Sequence, residues 1–323
     1  MTSNNFLSSP SNLKSPDQEQ VREVRTRYGD MVVRDRPDLV SKSLIDYGEW
    51  AQNELDAFAN FIAPESVVLD VGAYIGSHSR AFSQMVGEKG LVLAFEPHPS
   101  TFKILQANIW REPLGNIKAT QAALGNCNGT RCLQNTSSEN YGASYIGPCQ
   151  DTTMCAHSVR VHRLDDLRLE LESPISFVKI DVEGNEVDVL LGSEKTLALH
   201  QPVIYAETNT IEKSYKILNW AWAQDCRVYG FCARAFNPGN LNGAAENIFG
   251  DAVECGVICI YRNHFARNES LISGLGLVEL CNLDDLVATL LLAPQYRAML
   301  SERQFKMQVL GKRGVKEGDG TGF

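Results

Sequence analysis

The fold is decided by ten residues, Val67-Val68-Leu69-Asp70-Val71-Gly72-Ala73-Tyr74-Ile75-Gly76. Val67, Val68 and Leu69 are apolar without alternation, as a strand buried on both faces requires. The strand ends at Asp70 and runs into Gly72 and Gly76, which let the backbone turn tightly and come close to a ligand. Residues 77–86 then read as a helix, whose first turn offers free N–H groups. A dinucleotide fingerprint would place a glycine where Asp70 stands, with pyrophosphate on the helix end. A carboxylate there repels pyrophosphate and suits a ligand with a positive amino or sulfonium group. A plain strand–turn–helix uses the same glycines, so this loop alone does not settle function.

Outward from this stretch the alternation continues. Residues 91–95 read as a second strand ending at Glu96-Pro97, 100–110 as a helix and 117–123 as a third strand. Upstream, residues 49–62 carry Leu55, Phe58, Ala59 and Ile62 at helical spacing, and Pro64 stops them. Downstream, 175–180 is a strand ending at Asp181, 186–199 a helix, 203–206 a strand ending at Glu207, and 211–224 a helix. Segments 226–231 and 257–261 are two last strands, antiparallel to each other. Strand and helix alternate, so the reading is an α/β three-layer sandwich with a mostly parallel sheet. Residues 126–163, rich in Asn, Ser, Thr, Gly and Cys, interrupt the pattern as a loop-rich insertion with one or two short strands. The first 18 residues have tail composition, and 18–40 have no clear periodicity.

The chain has 323 residues, with 30 Lys+Arg against 39 Asp+Glu and a net charge of −9. This balance argues against a nucleic-acid polyanion as main partner. No apolar run approaches the roughly 18 residues of a membrane span, and the N-terminus lacks the pattern of a signal peptide. The nine cysteines are odd in number with no CxxC pair. They read as reduced thiols in a cytoplasmic protein. A metal or disulfide within 127–155 is the less favoured alternative.

Three motifs carry chemistry. The first is the Asp70 turn. The second is Glu96, 26 positions later, near the roughly 20-residue offset at which nucleotide folds hold a ribose acid. A carboxylate accepts both ribose hydroxyls, although a solvated strand-end acid looks the same in sequence. The third is Val178-Lys179-Ile180-Asp181-Val182-Glu183-Gly184-Asn185-Glu186, which delivers Asp181 and Glu183 to the carboxyl edge of the sheet. Glu186 also fits a helix-dipole partner. Asp70, Glu96, Asp181 and Glu207 thus end four strands at one edge, where open α/β folds bind ligands.

The set LDVGAYIG, AFEPHP and VKIDVEGNE resembles the FkbM family of S-adenosylmethionine-dependent methyltransferases. Tyr47-Gly48-Glu49-Trp50 with Glu54 approximates the family's lead-in, and Ala123-Leu124-Gly125 its turn after the third strand. The resemblance covers residues 40–262. It implies a class I methyltransferase (Rossmann-like) fold with a seven-stranded sheet whose last strand is antiparallel. It divides the chain into an N-terminal tail (1–40, partly disordered), a methyltransferase domain (41–265) and a helical C-terminal extension (266–323) with a frayed end. Tyr74 departs from the family's usual Asn.

Carried over by position, Asp70, Gly72, Ala73 and Gly76 surround the methionine end of S-adenosylmethionine, and Glu54 is a further cofactor-binding residue. Glu96 holds the ribose, with Pro97, His98, Ala122 and Ala123 near the adenine. Asp181 lies by the sulfonium and the acceptor, and Gly184 allows close approach. The implied reaction is O-methylation of a hydroxyl on a sugar, glycolipid or natural product.

An aliphatic hydroxyl needs a base as it reacts. Asp181, Glu183 and Glu207 are the catalytic candidates, with His98, His157 and His162 behind them. Asp181, Glu207 and Asn209 are possible oxygen ligands for a Mg²⁺-like ion, but a metal-free acidic pocket is favoured. Asn140, Tyr141 and Ser144 are candidate acceptor contacts, or only turn formers. Arg160, His162 and Arg163 form a small basic cluster. Trp110, Trp220 and Trp222 read as packing residues. The alternatives are a non-catalytic cofactor-binding module and, against Asp70, an NAD-dependent oxidoreductase.

Overall fold

The computed structural model describes residues 20–35, 38–135, 144–147, 157–208, 210–275 and 277–290. The segment without clear periodicity opens with a hairpin, β1 (Val21–Thr26) and β2 (Gly29–Arg34). Its sequence carries no alternation, yet Met31, Val32 and Val33 of β2 are buried in a cluster with Leu44, Ile75 and Ile104. Helix α1 (Leu39–Tyr47) is capped by Asp38, which accepts the Ser41 N–H at 2.8 Å, and ends at left-handed Gly48. Helix α2 (Gln52–Phe58) is shorter than the 49–62 periodicity predicts, because the chain enters a turn at 59–61.

Then the expected alternation appears: β3 (Val67–Val71), α3 (Ser77–Val86), β4 (Leu91–Phe95), α4 (Pro99–Trp110) and β5 (Ile117–Thr120). The third strand stops before 123, and Ala123 joins another sheet. That small sheet is formed by β6 (Ala123–Leu124), β7 (Gly129–Asn135), β8 (Ser144–Gly147) and β9 (His157–His162), in the order β6-β9-β7-β8. The insertion is therefore more strand-rich than its turn-forming composition suggests. Cys132 on β7 is disulfide-bonded, which corrects the expectation of reduced thiols throughout.

The main chain path resumes with β10 (Ile175–Ile180), α5 (Glu186–Leu191), α6 (Glu194–His200), β11 (Val203–Glu207), α7 (Ile211–Ala223), β12 (Cys226–Arg234) and β13 (Val253–Tyr261). One helix was expected over 186–199. It breaks at Gly192, where a Cβ would sit 1.9 Å from the Gly125 carbonyl oxygen. The break thus fits the insertion's backbone against the helix layer. Helix α8 (Phe265–Gly274), β14 (Val278–Glu279) and α9 (Leu283–Leu290) follow.

The central sheet has the order β14-β12-β13-β11-β10-β3-β4-β5. Strands β5, β4, β3, β10 and β11 are parallel, and β13 runs antiparallel to both β11 and β12. This is the class I methyltransferase arrangement with its reversed last strand. The difference from seven strands is β14, held at the edge by an Arg227–Glu279 ion pair in a segment expected to be helical. Val67, Leu69 and Val71 face a core with Val189, Leu197, Leu218 and Leu286, while Val68 faces one with Leu55, Phe82 and Leu105. Helices so cover both faces, and the ligand-facing residues are left at the carboxyl edge.

Candidate active site

Asp70 is fully buried at the end of β3. One carboxylate oxygen accepts the Ser79 hydroxyl from α3, while Oδ1 has no hydrogen-bond partner among the described residues. Lys179 of β10 places its Nζ 3.9 Å from Asp70 Oδ1 and 2.9 Å from Asp181 Oδ2. Strand register explains this, since Lys179 is paired with Asp70 across β10 and β3. Burial opposes the charge on Lys179, but the Asp181, Asp70 and Glu54 carboxylates raise its pKa overall.

The turn after β3 is narrow. The Gly72 and Ala73 N–H groups both donate to the Phe95 carbonyl at 3.0 Å, and Gly72 has φ 86°. Gly76, with φ 90°, caps α3. Ala73 is buried beside it. Glu96, also buried, takes one backbone donor on each oxygen: Tyr74 N–H on Oε2 at 3.1 Å and His98 N–H on Oε1 at 2.7 Å. Burial lifts the Glu96 pKa to about 7, although those two donors and Arg34 oppose the rise. Pro97 is half-buried beyond it, and Ala122 is buried one strand further on. His98 meets His157 of β9 edge-to-face, with ring centroids 4.9 Å apart. Burial and His157 bring His98 down to about 4, so it is neutral at physiological pH.

At the other end of the edge, the acids converge. Asp181 ends β10 and Glu207 ends β11. Burial opposes ionisation of Asp181, but Lys179 and a hydrogen bond from Glu207 bring it down to about 2. Burial and the Asp181 carboxylate push Glu207 well above the carboxylate range, so Glu207 carries the proton of this pair. Glu183 sits two residues on with φ 57°. Burial first, then Asp181, raises it to about 7, against the pull of Lys213. Glu186 turns away to accept the Gly184 N–H at 2.7 Å. Glu54 of α2 is buried, with its Oε2 3.3 Å from His78 Nε2.

Four members of the site carried no role in the sequence reading. Lys179 was visible as a lysine inside an apolar strand, a position that demands a buried anion. Glu254 begins β13, and because that strand is reversed its start lies at the same edge as the ends of its neighbours. Burial, Glu54 and Asp181 raise Glu254 to about 8. His78 lies within α3 without a distinguishing spacing. Arg34 comes from the hairpin, and no local signal marks it.

Other candidates fall elsewhere. Asn209, Asn140 and Tyr141 lie outside the described residues, as does the Ser144 side chain. Among the described residues no group of three His, Cys, Asp or Glu side chains is arranged to hold a metal. The basic cluster is divided: Arg160 is exposed, His162 is half-buried, and Arg163 lies 3.7 Å from Asp165 and 3.8 Å from Asp166. Trp220 is buried and Trp222 packs on the core, but Trp110 is 85% exposed, which corrects its reading as a packing residue. No helix among the described residues is long and apolar enough to cross a membrane.

Residues 70–226, which hold the Asp70 turn, Glu96, Asp181 and Glu207, match the methyltransferase FkbM domain. The chain carries an FkbM methyltransferase domain. Among similar proteins is the 2-O-methyltransferase NoeI of Sinorhizobium fredii, 30% identical over 157 residues, covering 42% of this chain and 60% of the relative. The hexuronic acid methyltransferase AglP of Haloferax volcanii is 32% identical over 134 residues, covering 41% of this chain and 52% of the relative. The chain therefore spans 52–60% of the length of these curated relatives. A solved FkbM methyltransferase from Methylobacillus flagellatus aligns at TM-score 0.40 with 15% identity, covering 61% of this chain and 44% of that one. The FkbM match begins at Asp70, so Arg34, Glu49 and Glu54 lie upstream of it, and Glu254 lies beyond its end.

Proposed function

We propose that this chain is an S-adenosylmethionine-dependent O-methyltransferase whose acceptor is a hydroxyl on a sugar, glycolipid or natural product. The observation that carries the reading is Asp70, a fully buried carboxylate at the glycine turn, one of whose oxygens has no hydrogen-bond partner among the described residues. A buried acceptor left unpaired is costly unless a ligand donor completes it. An amino group is such a donor, and a pyrophosphate is not. Glu96 fits a ribose diol in the same way, with its backbone donors fixing the carboxylate plane. The names of the relatives, a 2-O-methyltransferase and a hexuronic acid methyltransferase, support a sugar-like acceptor.

The cofactor, when bound, supplies a methyl carbon activated by the sulfonium. The residues of this chain must then hold an acceptor oxygen about 3 Å from that carbon and take its proton. Asp181 is held ionised by Lys179 and is a weak base with a pKa of about 2. Its fixed negative charge suits an orienting role toward a cation. Glu207 is protonated and serves as a donor to Asp181. Glu183, raised to about 7, is the carboxylate best matched to general-base work near neutral pH. We assign it the acceptor proton.

Isothermal titration tests the reading, using S-adenosylmethionine, NAD as control and Asp70→Ala beside the unaltered chain. Micromolar binding of the first ligand alone, lost in the variant, is expected. Binding of NAD alone favours an oxidoreductase. Binding of S-adenosylmethionine without methyl transfer to any of a panel of sugar hydroxyl acceptors favours a non-catalytic module.

A further inference from the structure

Arg34, the last residue of β2, is 2% exposed and lies upstream of the matched domain. Burying a guanidinium is costly unless its donors are used. Here they are used in a particular way. Nη1 donates to the Tyr74 hydroxyl at 2.7 Å, and Nη2 donates to Thr101 Oγ1 at 2.8 Å. The guanidinium also lies over the Tyr74 ring, 5.2 Å from its centroid. Asp38, which caps α1, is 3.7 Å from Nη1.

The two arms of this fork reach the two segments that hold Glu96. Tyr74 belongs to the glycine turn, and its own N–H donates to Glu96 Oε2. Thr101 belongs to the first turn of α4, just after His98, whose N–H donates to Glu96 Oε1. Tyr74 has φ 50°, a conformation a bulky residue keeps only when its surroundings hold it there. The hydroxyl at one end and the N–H at the other supply that hold.

We propose that Arg34 is a positioning residue for the nucleoside end of the cofactor, clamping Tyr74 and the start of α4 so that Glu96 presents its carboxylate to a ribose diol. This rests on the S-adenosylmethionine reading above. Arg34 also acts through charge. Glu96 is faced by Arg34 from β2, Asp70 from β3 and the His98 segment, with Asp38 and His157 behind them. Burial takes Glu96 to about 7, and among these neighbours Arg34 opposes that rise. Loss of Arg34 therefore leaves Glu96 protonated to higher pH.

The test is titration of S-adenosylhomocysteine into the full chain between pH 6 and 9, for the unaltered protein, Arg34→Met, Arg34→Lys and Tyr74→Phe. Thermal melting checks the fold of each. Arg34→Met is expected to weaken binding about tenfold at pH 7, the loss of one charge-assisted contact. It should also move the midpoint of the affinity–pH curve to the alkaline side. Arg34→Lys keeps the charge but loses the fork, so it should weaken binding with the midpoint unmoved. Tyr74→Phe should do likewise. A purely structural role would leave the midpoint in place for every folded variant. If Arg34→Met does not fold, the other two carry the test, and affinity within twofold of the unaltered chain in both overturns the proposal. A folded Arg34→Met with unchanged affinity and midpoint also overturns it. If the unaltered chain itself binds no S-adenosylhomocysteine, the cofactor reading fails instead, and this assignment falls with it.

Discussion

The backbone oxygen of Asp181 lies 1.8 Å from where a Cβ on Gly72 would be. The turn that follows β3 and the end of β10 are therefore in backbone contact, with no room for any side chain between them. Gly72 also has φ 86°, so strain adds to the clash.

Gly72→Ala should separate the two strand ends. The expected cost is at least about 2–3 kcal/mol, from the clash and the left-handed backbone together. Chemical denaturation measures the stability, and cofactor titration of the remaining folded protein should show loss of binding. Retention of both would mean that the turn relaxes easily.

Glu183→Gln should lower kcat by about 10²–10⁴-fold while leaving cofactor affinity nearly unchanged. The acid limb of the rate profile, expected near pH 7 from the raised Glu183 carboxyl, should vanish with it. A residual profile with the same limb would move the base role to another group.

Glu254 offers a test of sign. Its carboxyl is raised from 4.5 to about 8 by burial, Glu54 and Asp181. The folded state therefore keeps a proton that the unfolded chain releases above 4.5. This contribution to stability is fully present below about pH 4.5 and is lost as pH rises toward 8. Glu254→Gln cannot lose that proton, so its melting temperature relative to the unaltered protein should climb between pH 5 and pH 8. An unchanged difference would show that Glu254 titrates as an ordinary surface acid.

Glu49 is a structural carboxylate. It is buried and receives Arg27 at 2.6 Å, Asn237 Nδ2 at 2.7 Å and the Leu241 N–H at 3.1 Å. Glu49→Ala leaves the exposed Arg27 and the Asn237 and Leu241 donors without their acceptor, a loss of about 1–3 kcal/mol. Amide hydrogen exchange should rise first in residues 237–242.

Sequence composition revealed the sheet because β3, β4, β10 and β11 are largely buried and leave apolar runs, interrupted in β10 by Ser176 and Lys179. The strand-end acids were legible for the same reason, since a charge that terminates such a run has one edge to occupy. Arg34 and the hairpin were not legible. Their strands are only six residues each, β1 is largely exposed and β2 ends in four consecutive buried positions, so neither shows a period, and Arg34 is defined by partners 40 and 67 residues away. Glu254 was missed because its placement depends on β13 running backwards, a tertiary fact. The strands of the insertion were underread because they pair with one another and carry the polar composition of turns.

The buried Glu49 carboxylate also sets an order of events during synthesis. Arg27 reaches it early, but Leu241 is made 192 residues later. At 5–20 residues per second, the ribosome takes roughly 10–40 s to deliver that partner. Throughout that interval the nascent chain holds its lead-in segment with only part of its hydrogen bonding satisfied. Chaperones therefore have a long window in which to engage this end of the polypeptide, and the loop at 237–242 closes it.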